Sequence, residues 1–359
     1  MGILPSSDNP PMQWDVFCRV IDNFGDIGVC WRLAADLGAR GQPVRLWVDD
    51  ASALAWMAPH GAAGVDVRPW AEAASTDVVP GDVVVEAFGC DPPEAFVRAM
   101  TLATPAPVWI NLEYLSAERY VERSHGLRSP QLAGPGIGLD KWFYYPGFTA
   151  RTGGLLREPG LLHAHSALDG PAWLEARLGI VRQAGERLAS LFCYAGTSAM
   201  GALPAALSAG PPTRLLVTAG LPVPDGLPPE VSVHRLPRLT QAEYDRLLRA
   251  CDLNFVRGED SFVRAQWAGR PFVWQAYPQS DGVHAAKLAA FLDLFLAQAP
   301  QALSAALRGL WMGWNGLGPM DVGLPALGPW QAHCEKWRSS LEALPDLVSG
   351  LLEFVVETR

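Results

Sequence analysis

Two aspartates, Asp22 and Asp26, stand four positions apart in the stretch DNFGDIG, directly after an apolar run. One carboxylate at the start of a helix commonly caps that helix, but two are more than one cap needs. The glycines of the stretch let the backbone approach a ligand closely. The stretch matches neither the dinucleotide-binding pattern G-x-G-x-x-G nor a P-loop. It therefore favours a role for the aspartates in binding or chemistry, at a site of another kind.

A second polar cluster is the stretch RGEDS, residues 257–261, between an apolar run and a helical pattern. The free N–H groups and positive dipole end of a helix that begins there would bind an anion. Arg257 could add a bidentate phosphate contact. The alternative is a capping box with a surface ion pair. The pattern alone leaves both interpretations open.

Other candidate ligands are less specific. The acidic pair in WVDD, residues 47–50, could hold a metal, but strands that end in two acids are common. The stretch HAH, residues 163–165, lacks further ligands at metal spacing. Tyr194 could stack on a base and His284 could contact a ligand, or both could be structural. No metal site is predicted.

The elements that must position these residues alternate between strand and helix. In the first half, the predicted strands are 14–21, 43–50, 82–89 and 107–115, and the helices are 28–41, 51–61 and 92–100. The strands are continuous apolar runs, which is typical of a parallel sheet covered on both faces. Such a doubly wound sheet binds its ligands outside the carboxyl ends of its strands, where both clusters lie.

The alternation stops over residues 115–170, which are rich in Gly, Pro and aromatic residues and are predicted to be a long insertion with a connector. A second series then begins, followed by about 50 residues that look helical. Its predicted strands are 187–195, 213–220, 231–238, 252–257 and 271–277, and its helices are 241–251, 260–269 and 284–298. Two Rossmann-like domains with a helical tail are therefore expected, facing each other across a cleft.

Composition excludes several classes of protein. The chain has 359 residues, 49% hydrophobic and 18% charged, with a net charge of −9. This favours a globular protein of two domains over a general binder of nucleic acid or membrane. The six cysteines form no C-x-x-C pair, which indicates free thiols in a reducing cytoplasm. Residues 1–13 are expected to be a flexible leader rather than a signal peptide, and no membrane span is expected.

Several long motifs resemble those of the bacterial elongation factor P arginine rhamnosyltransferases. The resemblance runs from about Trp14 to about Asp293, and its motifs are FCRVIDNFGDIGVCWRLA, RLWVDD, EAFGC, WINLEYLSAE, PGFTARTGGLLRE, LFCYA, CDLNFVRGEDSFVRAQWAGRPFVWQAYPQ and HAAKLAAFLD. It implies a GT-B fold and metal-independent, inverting transfer of rhamnose from dTDP-β-L-rhamnose to one arginine of elongation factor P (EF-P), which activates that factor. The organisation it implies is an acceptor-side domain (14–170), a nucleotide-sugar domain (171–335) and a C-terminal helix that returns to the first domain (336–359).

The resemblance also implies roles for individual residues. The catalytic residues would be Asp22, Asp26 and Glu259. Donor contacts would come from Asn23, Phe24, Gly25, Tyr194, Gln241, Arg257, Asp260 and Ser261, with Gln241 reading the thymine. The sequence departs from the family after Tyr194, where CYAG stands in place of a more usual acidic residue. No cofactor is implied beyond the sugar-nucleotide substrate.

The implied chemistry suits these side chains. A guanidinium keeps its proton, with a pKa above about 12, until the new N–C bond forms. Asp22 would orient the guanidinium and Asp26 would accept its proton as general base. One alternative is a GT-B enzyme with another nucleotide sugar or a small-molecule acceptor. Another is a non-catalytic protein that only binds a nucleotide sugar, against which the aspartate pair argues.

Overall fold

The computed structural model describes residues 10–21, 24–208, 210–277, 282–319 and 323–359. These residues form two compact units. Unit 1 takes its residues from 1–115, 122–158 and 346–359, and unit 2 from 116–121 and 159–345. The sequence-based boundaries, at 170/171 and 335/336, lie about ten residues away from the two main crossings between the units.

The elements alternate along the chain much as their hydrophobic patterns predict. The strands are β1 Trp14–Cys18, β2 Val44–Val48, β3 Val65–Pro69, β4 Val83–Ala87, β5 Val108–Leu112, β6 Leu127–Pro130, β7 Asp140–Tyr144, β8 Arg187–Leu191, β9 Thr213–Val217, β10 Val231–Arg235, β11 Leu253–Arg257 and β12 Phe272–Gln275. The helices are α1 Gly25–Ala39, α2 Leu54–Met57, α3 Glu94–Leu102, α4 Arg119–Ser124, α5 Leu161–Ala167, α6 Gly170–Leu178, α7 Ser198–Leu207, α8 Gln241–Ala250, α9 Asp260–Ala268, α10 Val283–Phe295, α11 Gln301–Trp314, α12 Leu327–Glu342 and α13 Leu347–Thr358.

The sheet of unit 1 has seven strands among the described residues, in the order β3-β2-β1-β4-β5-β7-β6. All neighbours pair in parallel except β6, which runs antiparallel to β7. Every residue of β1, β4 and β5 is buried, as continuous apolar runs predict for a doubly covered sheet. The strand order reverses beside β1, so the loops after β1 and β4 lie at a topological switch point.

The sheet of unit 2 repeats this plan with five strands in the described part of the chain. Their order is β10-β9-β8-β11-β12, and all pair in parallel. The order reverses between β8 and β11, which brings the loops after these two strands side by side at the carboxyl edge. The expectation of two Rossmann-like domains is confirmed.

Residues 115–170 are not the irregular insertion that their Gly and Pro content predicts. They contain β6 and β7, which complete the sheet of unit 1, and the helices α4 and α5. Strand β7 includes the three aromatic residues Trp142, Phe143 and Tyr144 and pairs in parallel with β5. Aromatic side chains favour a pleated, half-buried surface, and three such residues sufficed here despite the glycines and prolines on both sides.

The prediction of one C-terminal helix over 336–359 is wrong. Helix α12 ends at Glu342 and α13 begins at Leu347. Pro345 lies between them and has no N–H to continue a helix. Asp346 then caps α13 by accepting from the N–H of Ser349 at 2.9 Å. Helix α13 belongs to unit 1, where four of its side chains join the main core: Leu347, Val348, Leu351 and Val355.

All six cysteines are free thiols, and five of them are buried. Among the described residues, no group of three or more His, Cys, Asp and Glu side chains is arranged to hold a metal ion. In the same part of the chain, no helix has the length and apolar character needed to cross a membrane.

Candidate active site

Asp26 lies at the carboxyl end of β1, in the first turn of α1, with 3% of its surface exposed. Its Oδ2 accepts a hydrogen bond from the N–H of Ile21 at 2.8 Å. The residue before the helix is Phe24, which provides no side-chain cap, so Asp26 is not the cap of α1. The structure therefore places this carboxylate where it contacts the loop after β1. Asp22 and Asn23 lie outside the described residues.

A second carboxylate, directly after the end of β2, holds the same loop. Asp49 Oδ1 accepts from the N–H of Val20 at 2.9 Å, next to the N–H that Asp26 binds. Two successive amides are thus fixed by two aspartates from different elements. The pattern WVDD did not predict this arrangement, which gives Asp49 a structural role.

The ring of Phe24 remains 37% exposed at this edge. It packs edge-to-face on Trp56, with ring centroids 5.2 Å apart. Gly25 begins α1 directly after it. Both residues therefore lie beside Asp26, as their place in the motif predicts, although the contacts to a donor that the resemblance implies remain a prediction.

In unit 2, the guanidinium of Arg257 lies over two aromatic rings at the end of β11. Its Cζ is 4.5 Å from the ring centroid of Phe192 and 4.3 Å from that of Tyr194. Both contacts are within the range of cation–π interactions, which fix the plane of a guanidinium. Tyr194 thus has a defined partner, and Phe192 is a site residue that the sequence analysis missed. In the sequence, Phe192 looks like part of an apolar strand. Only the pairing of β8 with β11 brings it next to Arg257.

A buried glutamine holds the segment that carries Tyr194. Gln275 Oε1 accepts from the N–H of Tyr194 at 2.8 Å, and Gln275 Nε2 donates to Thr197 Oγ1 at 2.7 Å. The hydroxyl of Thr197 donates in turn to the carbonyl of Tyr194 at 2.8 Å. Burial raises the pKa of the adjacent Cys193 thiol to about 12, so this thiol is protonated at neutral pH and is not a nucleophile.

The turn between β11 and α9 places Glu259, Asp260 and Ser261 at the start of α9. Glu259 precedes the helix but its side chain does not cap it. The capping box of this region belongs to α8, between Thr240 and Glu243. The structural alternative for the RGEDS cluster, a capping box, is therefore wrong.

Gln241 reaches the same turn from α8. Its Nε2 donates to Asp260 Oδ2 at 3.3 Å, and the residue is 8% exposed. The residues predicted to bind the donor from α8 and α9 are thus brought together. The reason is a buried ion pair between the two helices: Arg264 Nε and Nη2 donate to Asp245 Oδ1 and Oδ2 at 3.0 and 2.7 Å.

Breaking this ion pair is expected to destabilise unit 2. Arg264→Met leaves Asp245 buried without its guanidinium, which costs about 3–5 kcal/mol in the free energy of unfolding. Urea unfolding measures this loss. Arg308→Met is the matched control, because it removes an exposed ion pair with Asp293 and should cost less than about 1 kcal/mol. Equal effects of the two substitutions would contradict the bracing role of Arg264.

Together, the cluster in unit 2 combines a cation and the N-terminus of a nine-residue helix at the carboxyl edge of a parallel sheet. This combination is chemically suited to an anionic group such as a phosphate. The cluster in unit 1 offers the buried carboxylate of Asp26 and the exposed ring of Phe24, which suits a planar cation. The cluster in unit 2 therefore favours an anionic ligand, and the cluster in unit 1 favours a cationic one.

Comparison with known proteins identifies the fold and the family. The model of the family "Elongation-Factor P (EF-P) rhamnosyltransferase EarP" matches residues 14–356. A protein-arginine rhamnosyltransferase of Pseudomonas aeruginosa is 42% identical, over 96% of this chain and 99% of its own length.

Two solved structures show the same architecture. One, on the structural basis of EarP-mediated arginine glycosylation of translation elongation factor EF-P, has a TM-score of 0.66 and 31% identity over 97% of this chain and 100% of that one. The glycosyltransferase SnogD of Streptomyces nogalater has a TM-score of 0.51 over 97% and 100% of the chains and, at 14% identity, shows the fold alone. The fold is that of GT-B glycosyltransferases, and the chain belongs to the EF-P rhamnosyltransferase family, EarP.

Proposed function

We propose that this protein is an inverting, metal-independent transferase that moves rhamnose from dTDP-β-L-rhamnose to one arginine of EF-P in the cytoplasm. The observation that carries the proposal is the buried carboxylate of Asp26 at the switch point of unit 1, in a chain of this family. No cofactor is required in this scheme. Inversion converts the β-linked donor into an α-linked product.

In the acceptor half of the reaction, carboxylates hold the guanidinium and remove its proton. The guanidinium is protonated at neutral pH, and its delocalised lone pairs make it a weak nucleophile. Asp26, with Asp22, orients it by charge-assisted hydrogen bonds, and Asp26 accepts the proton as the N–C bond forms. A carboxylate of unit 2, for which we propose Glu259, stabilises positive charge that develops on the sugar.

In the donor half, unit 2 binds the nucleotide and stabilises the leaving group. Arg257 and the backbone N–H groups at the N-terminus of α9, which begins at Asp260 and Ser261, stabilise the negative charge of departing dTDP. Gln241 lies beside Asp260, where its amide can pair with the thymine. Because Phe192 and Tyr194 hold the plane of the Arg257 guanidinium, the cation is pre-organised before the donor binds.

The direct test is intact-mass measurement of EF-P incubated with the protein and dTDP-rhamnose. One deoxyhexose is expected on one arginine, and magnetic resonance of the product should show the α linkage. Parallel reactions with dTDP-glucose or a UDP-sugar test the first alternative, an enzyme with another donor. Binding of dTDP-rhamnose without any mass gain would indicate a non-catalytic binding protein and would contradict the proposal.

Arg257→Ala is expected to weaken dTDP and dTDP-rhamnose equally. The loss of a charged hydrogen bond costs roughly 1.5–3 kcal/mol, which is about ten- to a hundredfold in affinity. Titration calorimetry with both ligands measures the change. Arg214→Ala is the control, because Arg214 lies on β9, which β8 separates from β11, and pairs with Glu186. Unchanged affinity for both ligands would remove Arg257 from the donor site.

A further inference from the structure

The segment after β4, residues 88–91, has an unusual backbone. Phe88 has φ +59° and Asp91 has φ +41°, with Gly89 at +67° between them. Positive φ is uncommon for residues other than glycine, and it is an outlier for a bulky aromatic residue. Such a conformation persists only where its surroundings enforce it, and it recurs at functional sites.

The surroundings of this segment do enforce it. The N–H of Phe88 donates to the carbonyl of Leu112 at 2.7 Å, and that of Gly89 donates to Asn111 Oδ1 at 3.2 Å. The thiol of Cys90 donates to the carbonyl of Phe17 at 3.3 Å. Strands β1 and β5 therefore hold the segment from both sides. These contacts aim the ring of Phe88 in one direction.

The ring of Phe88 stacks on the ring of Tyr114, with centroids 4.3 Å apart and planes 12° apart. Tyr114 follows β5 and is 40% exposed. Phe88 and Val20 both pack against the main core of unit 1. Because β4 lies directly beside β1, the stacked pair lies at the same edge of the sheet as the loop that Asp26 holds. We call the pair Phe88–Tyr114 the aromatic platform.

Two carboxylates, those of Asp91 and Glu113, belong to the segments that carry the platform, and one lysine lies near the first of them. Asp91 has 87% of its side chain exposed and is 3.7 Å from Lys141, whose shorter contact is with the buried Glu86 at 2.6 Å. Glu113 precedes Tyr114 and accepts from Asn111 Nδ2 at 2.9 Å. An aromatic face flanked by carboxylates attracts a planar cation, because a guanidinium stacks on rings and pairs with carboxylates at its rim.

We infer that the aromatic platform binds the side chain of the acceptor arginine and lays its guanidinium toward Asp26. The inference rests on the proposed function, since it names how that site selects its acceptor. Phe88 and Tyr114 are then specificity residues for a planar cation. The donor site in unit 2 does not depend on them.

The test measures steady-state transfer to EF-P by Tyr114→Ala. Loss of one stacking face is expected to lower kcat/KM for EF-P about tenfold, mainly through KM, with unchanged affinity for dTDP. Tyr114→Phe should keep nearly all activity, because the ring remains. Tyr120→Ala is the matched control, since Tyr120 is also 40% exposed but lies in α4, outside the platform.

Phe88→Gly provides a second variant that keeps the backbone. Glycine adopts positive φ without strain, so the segment retains its path while the ring is lost. The same rise in KM is expected, and thermal unfolding verifies that the variant is folded. If wild-type protein modifies EF-P and both ring-deleted variants do so with unchanged KM, the inference is wrong. If wild-type protein adds no sugar to EF-P at all, the proposed function itself fails.

Discussion

Asp26→Asn is expected to abolish most sugar transfer while dTDP-rhamnose still binds. The substitution keeps the size of the side chain and an oxygen that can accept from Ile21 N–H, but it removes the proton acceptor. General base catalysis typically contributes a hundred- to ten-thousandfold in rate, so a decrease of about that size is predicted. Single-turnover transfer to EF-P measures the rate, and titration calorimetry measures donor binding.

Asp49→Asn is the control that separates chemistry from loop structure. Asp49 holds the N–H of Val20 just as Asp26 holds the N–H of Ile21. If both aspartates only fix the loop, the two asparagine variants should lose similar activity. A near-wild-type rate for Asp26→Asn, or a loss matched by Asp49→Asn, would argue against Asp26 as the base.

Replacing the target arginine of EF-P by lysine is expected to eliminate transfer. Lysine presents a single ammonium with a pKa near 10.4, so it could lose its proton more easily than arginine. It lacks the planar fork that two carboxylates grip and the flat face that stacks on an aromatic ring. The protein is therefore expected to select arginine by the planar shape of its guanidinium and not by the pKa of its side chain.

The lysine variant of EF-P should first be shown to be folded by circular dichroism. Mass spectrometry after prolonged incubation with dTDP-rhamnose then gives the result. A deoxyhexose on the new lysine would mean that basicity decides the reaction and that the carboxylates and rings of unit 1 do not select a guanidinium.

Much of the architecture could be predicted because its determinants are local. Val83–Ala87, which is apolar except for Glu86, is a buried central strand. Val65–Pro69 was missed because it forms β3, an edge strand, where exposed charges and a proline are tolerated. Strand β7 was missed because glycine and proline surround it in the sequence.

The candidate site was predictable only where one motif contains it. Asp26 was found from its spacing to Asp22 and its place after an apolar run. The approach of Gln241 to Asp260 depends on the buried pair Arg264–Asp245, which joins two separate helices. The conformation of Phe88 is opposed by its own residue type, so no local pattern could have predicted it. Long-range contacts determine both features.

Helix α13 has a consequence for biosynthesis. It supplies part of the core of unit 1, and the ring of Phe354 packs on Trp142 and Tyr144 of β7. The residues of α13 are synthesised after all of unit 2. Translation at about 5–20 residues per second separates them from residue 158 by on the order of ten to forty seconds. During that interval the nascent unit 1 lacks α13 and leaves exposed the apolar surface that this helix covers in the folded protein.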